Sequence, residues 1–105
     1  MNAKTLKALK GSIAKWQAVV AGKGADEGGN NCPLCQMFFV GVPISERCIG
    51  CPVAKRAKTI GCYKTPWQEW AAHQDETGYA RTQKQKRLAR AELRFLKSLL
   101  PRKRK

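Results

Sequence analysis

The first twenty residues alternate apolar and polar positions with the period of an α-helix. Steps of three and four residues separate the apolar side chains, which are Leu6, Leu9, Ile13, Trp16 and Val20. This spacing places them on one helix face with the lysines off it, and Gly22 suits the helix C-terminus. We predict a helix over residues 1–22 that packs on another element, because Gly11 weakens its intrinsic stability. The same stripe would also suit a dimer, so the oligomeric state is left open.

The C-terminal part of the chain predicts two more helices. Thr65, Pro66 and Gln68 have the spacing of a capping box with proline in the first turn, so a short helix is expected over residues 66–74. A break at Gly78 separates it from a long basic helix predicted over residues 79–100. Its apolar side chains are Leu88, Ala89, Leu93, Phe95, Leu96, Leu99 and Leu100. Residues 101–105 would form a disordered basic tail.

The intervening residues 30–65 contain all five cysteines. Cys32-Pro-Leu-Cys35 and Cys48-Ile-Gly-Cys51 are two Cys-x-x-Cys turns separated by twelve residues, a spacing typical of structural zinc sites closed by four thiolates. Cys62 is either a further candidate ligand or an ordinary buried thiol. An iron–sulfur cluster is the alternative cofactor, since Pro52 follows Cys51 as in some cluster motifs, although the three-cysteine ferredoxin run is absent.

The apolar segment between the two cysteine pairs, residues 37–44, is β-prone but broken by Gly41 and Pro43. It predicts either a short β-strand or hairpin, or an apolar plug beneath the metal. Taken together, the patterns predict a mostly α-helical fold. We expect one small metal-stapled domain over residues 1–100, in which the N-terminal and long C-terminal helices pack together and the cysteine module joins them.

Basic residues are concentrated at both ends of the chain, whose formal net charge is +14. Residues 1–24 carry +5 and residues 79–105 carry +10, whereas residues 25–78 carry −1. Glu92 is the only acid of the last segment, and a merely solvated helix would mix both signs. We therefore predict contacts with a nucleic-acid backbone. The candidate residues are Arg81, Lys84, Lys86, Arg87, Arg90, Arg94, Arg102, Lys103, Arg104 and Lys105.

The sequence argues against an enzyme and against a membrane protein. His73 is the only histidine, so two-histidine metal motifs cannot be built, and four thiolates on zinc would leave no open position for water. We expect His73 to meet helix-end carbonyls or solvent. Without a membrane span or signal peptide, a reducing cytoplasm is expected.

The tryptophans and tyrosines are expected to cover the core instead of stacking on bases.

The chain has a set of sequence landmarks. They are Lys15-Trp16, Asp26 in a glycine-rich turn, Asn31-Cys-Pro-Leu-Cys35, Cys48-Ile-Gly-Cys-Pro52, Gly61-Cys62 with Thr65-Pro66, Trp70, and the ending Phe95-Leu-Lys-Ser-Leu-Leu-Pro101. Together these landmarks resemble a family of small cysteine-rich, zinc-finger-like proteins found in bacteriophages and prophages. The resemblance implies a viral origin, expression in the host bacterial cytoplasm, and Cys62 as part of the shared pattern. It implies no particular function, since the family is uncharacterised.

The leading expectation is a non-enzymatic zinc-binding phage protein that binds nucleic acid through its basic helices. The alternative is a protein-interaction module that inhibits or modulates a host defence or transcription complex, or a phage complex, since a basic surface also suits an acidic protein patch. A virion component whose basic face meets packaged DNA is a third possibility.

Overall fold

The computed structural model of the protein describes residues 3–27, 31–39, 41–57 and 65–101. Within these ranges there are five α-helices and no β-strand. The helices are α1 (Ala3–Val20), α2 (Pro33–Phe38), α3 (Pro52–Ala57), α4 (Pro66–His73) and α5 (Gln83–Ser98). A short 3-10 helix, Ile44–Glu46, lies between α2 and α3. The predicted mostly α-helical fold class is therefore confirmed.

Helices α1 and α5 form the centre of the fold, where they pack against each other, while α4 packs on α5 and α2 packs on α1. The main core side chains are Leu9, Trp16 and Val19 of α1, Trp70 of α4, and Ala89 and Leu96 of α5. The predicted packing of the N-terminal helix on the C-terminal helix is thus confirmed. None of the helices in the described ranges is long and apolar enough to cross a membrane.

Helix α1 confirms the predicted N-terminal helix and explains its interior glycine. After the last turn Gly22 takes a φ of +76°, and its N–H donates to the Val19 carbonyl at 3.1 Å. A methyl group at position 11 would lie 3.0 Å from Cγ of Pro33. Gly11 therefore weakens α1 as an isolated helix but allows the start of α2 to approach it closely.

The capping of α4 differs from the prediction. Pro66 occupies the first turn as predicted, but the Thr65 side chain makes no capping hydrogen bond. The Gln68 N–H, the donor that such a cap would satisfy, instead bonds the Thr65 carbonyl at 3.0 Å. The Thr65 side-chain bond of the predicted capping box is therefore not formed.

A capping box that was not predicted starts α5. The Thr82 hydroxyl accepts from the Gln85 N–H at 3.0 Å, and the Gln85 amide oxygen accepts from the Thr82 N–H at 3.0 Å. The predicted start at residue 79 is wrong because this cap places the first helical residue at Gln83. The Gln85 amide nitrogen also donates to the His73 carbonyl at 2.9 Å, which joins the end of α4 to the start of α5.

The predicted β-hairpin within residues 37–44 is wrong for the residues described there. Met37 and Phe38 end α2, Gly41 takes a φ of +75°, and Ile44 begins the 3-10 helix. Pro33 in the first turn and the Cys32 cap favour a helix despite the β-prone side chains. Residues 102–105, predicted to be a disordered tail, lie outside the described residues.

Candidate metal module and basic surface

Helix α1 holds the first cysteine turn in place. The buried Ser12 hydroxyl accepts a hydrogen bond from the Leu34 N–H at 3.4 Å and lies 4.0 Å from the Cys32 sulfur. Cys32 in turn caps α2, because its sulfur accepts from the Cys35 N–H at 3.3 Å. Hydrogen bonds donated to a sulfur favour its thiolate, which is the form that binds metal. The first predicted turn is therefore formed with its sulfur partly preorganised.

The second turn is tied to the first through the backbone. The Cys48 N–H donates to the Phe38 carbonyl at 2.8 Å, and the Cys51 N–H bonds the Cys48 carbonyl at 3.2 Å. Cys48 has a φ of +65°, which is uncommon for a residue with a side chain. The contacts around this turn therefore hold Cys48 in a conformation that its own side chain disfavours.

The thiols of the two turns interact electrostatically. Hydrogen bonding by Cys35 lowers the pKa of the Cys32 thiol to about 6, against the opposing effect of burial. Burial raises the pKa of the Cys48 and Cys51 thiols, and the charge of Cys32 raises both further. One thiolate beside two neutral thiols is an arrangement that a bound metal would complete by displacing the remaining protons.

The described residues contain both turns but do not close a four-sulfur site. All four cysteines of the two turns are free thiols. In residues 3–27, 31–39, 41–57 and 65–101, no three His, Cys, Asp or Glu side chains are arranged to hold a metal ion. Cys62, the further candidate ligand, lies outside these ranges. Metal binding by Cys32, Cys35, Cys48, Cys51 and Cys62 therefore stays a prediction.

A buried carboxylate that the sequence analysis did not single out as a site links α1 to α4. Oδ1 of Asp26 lies 2.7 Å from Nζ of Lys15, and Oδ2 accepts from the indole nitrogens of Trp70 at 2.9 Å and Trp67 at 3.3 Å. The ring of Trp70 meets that of Trp16 edge to face, with centroids 5.3 Å apart. Trp16 and Trp70 are buried in the core, and the half-buried Trp67 packs against it, as expected. The sequence signal was an acid, Asp26, that lies next to Glu27 in a glycine-rich turn.

Tyr79 does not follow the expectation for the aromatic residues. Tyr79 is 42% exposed, and the segment before α5 in which it lies is not helical. Tyr63 lies outside the described residues.

Glu92 is turned into the core of the fold. Its residue exposure is 4%, and Oε1 has no hydrogen-bond partner among the described residues. Burial raises the pKa of its carboxyl to about 8, and the nearby charges of Cys32 and Asp26 act in the same direction. The carboxyl is therefore expected to be largely protonated at neutral pH.

The outward face of α5 carries the predicted basic residues. The buried face consists of Gln85, Ala89, Glu92 and Leu96. On the opposite face Arg87, Arg90 and Arg94 are exposed at steps of three and four residues, and Lys97 continues this row. We call these four residues the α5 basic row. No ion pair involves them within the described part of the chain.

The other predicted contact residues are more scattered. Lys84 is exposed and Lys86 is half-buried, beside the α5 basic row. Arg81 precedes the helix and pairs with Asp75 at 3.4 Å in an exposed contact. Arg102, Lys103, Arg104 and Lys105 lie outside the described residues.

Helix α3 adds a basic residue that the sequence analysis did not name. The guanidinium of Arg56 donates to the Ser98 carbonyl at 3.2 Å and to its hydroxyl at 3.4 Å. This contact places a second arginine-bearing helix beside the C-terminal end of the α5 basic row.

His73 lies at the exposed end of α4. Nδ1 of the exposed His73 lies 3.0 Å from the Glu69 carbonyl oxygen, the helix-carbonyl contact that was expected.

A shallow groove of about 660 Å³ runs between α4 and α5. Its lining residues are Thr65, Pro66, Gln68, Glu69, Ala72, Leu88 and Ala91. Glu69 is the only ionisable side chain among them.

Comparison of the chain with protein-family models, with curated proteins and with solved structures finds no match.

Proposed function

We propose that this protein binds nucleic acid through the α5 basic row, without catalysing a reaction, and that zinc holds its cysteine module together. One observation carries the proposal. Glu92, the only acid of residues 79–105, is buried at 4% exposure, so the surface of this segment presents bases without a compensating acid of its own. A helix that is merely solvated would carry both signs on its outer face.

The spacing of the α5 basic row suits a phosphate backbone. Arg87 and Lys97 are ten residues apart, so the row extends about 15 Å along the helix. Arginine presents a planar fork of N–H donors that can bind phosphate oxygens in pairs. Such contacts position a protein on nucleic acid without reading its sequence. We therefore expect strong affinity for backbone charge and weak sequence preference.

Zinc would have a structural role in this proposal. Cys32, Cys35, Cys48 and Cys51 would be its ligands, with Cys62 as the further candidate. The hydrogen-bonded Cys32 thiol, whose pKa is about 6, supports the proposal because it supplies a thiolate near neutral pH. A small domain with two short helices in its middle also gains from a metal staple.

The resemblance to small cysteine-rich phage proteins supplies the proposed setting. The protein would be made in the cytoplasm of an infected bacterium, where reducing conditions keep the cysteines available for metal.

Salt-dependent binding of a fluorescently labelled DNA duplex tests the main proposal. If roughly six phosphates are engaged, log affinity should fall with log salt at a slope of about −5. The triple variant Arg87→Gln, Arg90→Gln, Arg94→Gln should reduce the magnitude of this log–log slope by about 3. The matched control is Lys4→Gln, Lys7→Gln, Lys10→Gln, which removes the same charge from exposed positions of α1.

The control variant separates local contacts from net charge. A smaller change in the α1 variant than in the α5 variant supports the α5 basic row as the binding surface. Equal changes would show that only net charge matters and would contradict the assignment to α5. A weak salt dependence of the unaltered protein would overturn nucleic-acid binding itself. A stoichiometric protein partner that survives nuclease treatment in a pull-down would then favour the protein-interaction alternative.

A further inference from the structure

Two large apolar side chains at the cysteine turns are exposed. Phe39, directly after α2, is 42% exposed, and Ile49, inside the second turn, is 68% exposed. The hydrogen bond from the Cys48 N–H to the Phe38 carbonyl brings the two turns together, and Phe39 and Ile49 each follow one residue of that pair. A single exposed apolar residue is ordinary, but two on adjoining turns form a candidate contact surface.

Phe38 and Phe39 have different environments, although they are neighbours in the sequence. Phe38 is half-buried and packs on the core, and its ring lies beside Gly50. Phe39 follows the last helical residue of α2, and its N–H bonds the Cys35 carbonyl at 2.8 Å. This turn directs the second ring outward. The sequence prediction of an apolar plug beneath the metal therefore does not account for Phe39.

Arg47 is held against the exposed ring. Its guanidinium carbon lies 4.6 Å from the centroid of Phe39, within the range of a cation–π contact. The Nε of Arg47 donates to the Val42 carbonyl at 3.0 Å, which fixes the direction of the side chain. Its terminal nitrogens have no hydrogen-bond partner among the described residues. The preoriented guanidinium therefore lies over one face of the exposed ring, and a stacking ligand would use the face that it does not cover.

This pair matches the chemistry of an unpaired nucleotide. A base can stack on an aromatic ring, and its phosphate can bind an adjacent arginine. A paired base inside a duplex does not offer its face in this way. Glu46, the only acid between Cys32 and Ala57, makes no ion pair with Arg47. The positive charge of Arg47 is therefore available to an anionic ligand.

We propose that Phe39 and Arg47 form a binding site for single-stranded nucleic acid, in which an unpaired base stacks on Phe39 and its phosphate binds Arg47. Ile49 adds apolar contact beside the base. This inference rests on the proposed nucleic-acid binding and specifies the form of its ligand. The α5 basic row would bind the backbone of either form, whereas the Phe39 site would favour the single strand.

The test compares two single-stranded oligomers that have equal numbers of phosphates. One is oligothymidylate, and the other has the same length but contains abasic sites. Fluorescence anisotropy gives the affinity of each variant for both oligomers. The ratio of the two affinities isolates the contribution of the bases, because backbone contacts and any loss of folded protein affect both oligomers alike. Base–aromatic stacking at one site predicts a preference of about 5- to 150-fold for the oligomer with bases.

Phe39→Leu should remove most of this preference, and Phe39→Tyr should retain it. The matched control is Tyr79→Leu, which alters another aromatic residue that is 42% exposed, but against whose ring no arginine of the described residues lies. The control should keep the preference. Arg47→Gln should weaken binding of both oligomers and reduce the salt slope by about 0.7.

The possible failures are distinguishable. Binding of duplex and both oligomers without any preference for bases would overturn the Phe39 site and leave the proposed function standing. A preference that persists in Phe39→Leu would also overturn the site. No binding of duplex or oligomer by the unaltered protein would overturn the proposed function and this inference together. Loss of a stoichiometric protein partner in Phe39→Leu, without any effect on oligomers, would assign the surface to a protein contact.

Discussion

The indole nitrogen of Trp70 donates a 2.9 Å hydrogen bond to Oδ2 of Asp26, although 44 positions separate the two residues in the chain. The same carboxylate binds Lys15 at 2.7 Å and is fully buried. It therefore joins α1, the loop that follows α1, and α4 at one point. A buried carboxylate with several charge-assisted or indole partners favours one arrangement of these elements, because its loss would leave each partner unsatisfied.

Replacing Asp26 should strongly destabilise the fold. In Asp26→Ala the nearly buried Lys15 ammonium loses its counter-charge and two indole N–H groups lose their acceptor, so we expect a loss of about 3–5 kcal/mol. Urea denaturation followed by tryptophan fluorescence measures this. Glu76→Ala removes the same charge from an exposed position and should change the free energy of unfolding by less than about 0.5 kcal/mol. A similar effect of the two substitutions would contradict the structural role of Asp26.

Gly78 should tolerate a methyl group far less well than Gly41. Both take nearly the same backbone angle, with φ of +74° and +75°. A Cβ at position 78 would overlap the Asp26 carbonyl oxygen, whereas at position 41 no described residue beyond the chain neighbours lies within 4 Å of such a Cβ. Both alanine variants therefore carry the strain of a positive φ, about 1–2 kcal/mol, whereas only Gly78→Ala adds the overlap with Asp26.

The comparison of the two glycine variants isolates that overlap. We expect Gly78→Ala to lose at least about 1–3 kcal/mol more than Gly41→Ala, since the Asp26 backbone must shift. Thermal and urea unfolding of both variants measure the difference. Equal losses would show that Asp26 and Gly78 do not approach closely in solution.

Glu92 should make the fold less stable as the pH rises. Its pKa is raised in the folded state from an ordinary value of 4.5 to about 8, chiefly by burial. Between these values the unfolded chain releases the proton while the folded chain keeps it, so the free energy of unfolding falls as the pH rises to about 8. Above pH 8 the folded state bears the full free-energy cost of a buried, ionised carboxylate. In Glu92→Gln this cost is absent.

The difference between Glu92→Gln and the unaltered protein should therefore grow with pH. Near pH 4 the two should have similar unfolding free energies, and above pH 8 the variant should be more stable by on the order of 5 kcal/mol. Urea midpoints at several pH values measure this. The matched control is Glu69→Gln, which makes the same replacement at an exposed position of α4. A constant difference across the pH range would argue that Glu92 is not buried as a carboxylic acid.

Metal content decides the proposed role of the cysteines. Protein purified without oxygen and without added metal should contain one zinc per chain and show no visible absorbance. Cys32→Ser and Cys48→Ser should lose zinc and unfold at lower urea concentration, because metal binding stabilises the folded state. Iron with sulfide and a brown colour would replace zinc with the iron–sulfur alternative. The zinc content of Cys62→Ser tests whether Cys62 is a ligand.

Local features explain which helices were predictable from the sequence. The three-and-four spacing from Leu6 to Val20 predicted α1, and Pro66 marked the start of α4. The cap of α5 could also have been predicted, since Thr82 and Gln85 have the spacing of a capping box. The predicted helix instead began at Tyr79 and included Arg81, which precedes this cap. Periodicity, proline and caps act over a few residues, so the sequence alone carries this information.

The sequence by itself determined the mostly helical fold, the two cysteine turns and the excess of positive charge at the C-terminal end. Only the tertiary structure decided that Asp26 meets Trp70, that Glu92 faces the core, and that Phe39 points outward beside Arg47. Each of these depends on side chains from different elements, and the gain from burying or pairing a polar group depends on its neighbours in space. Separation along the chain does not reveal those neighbours.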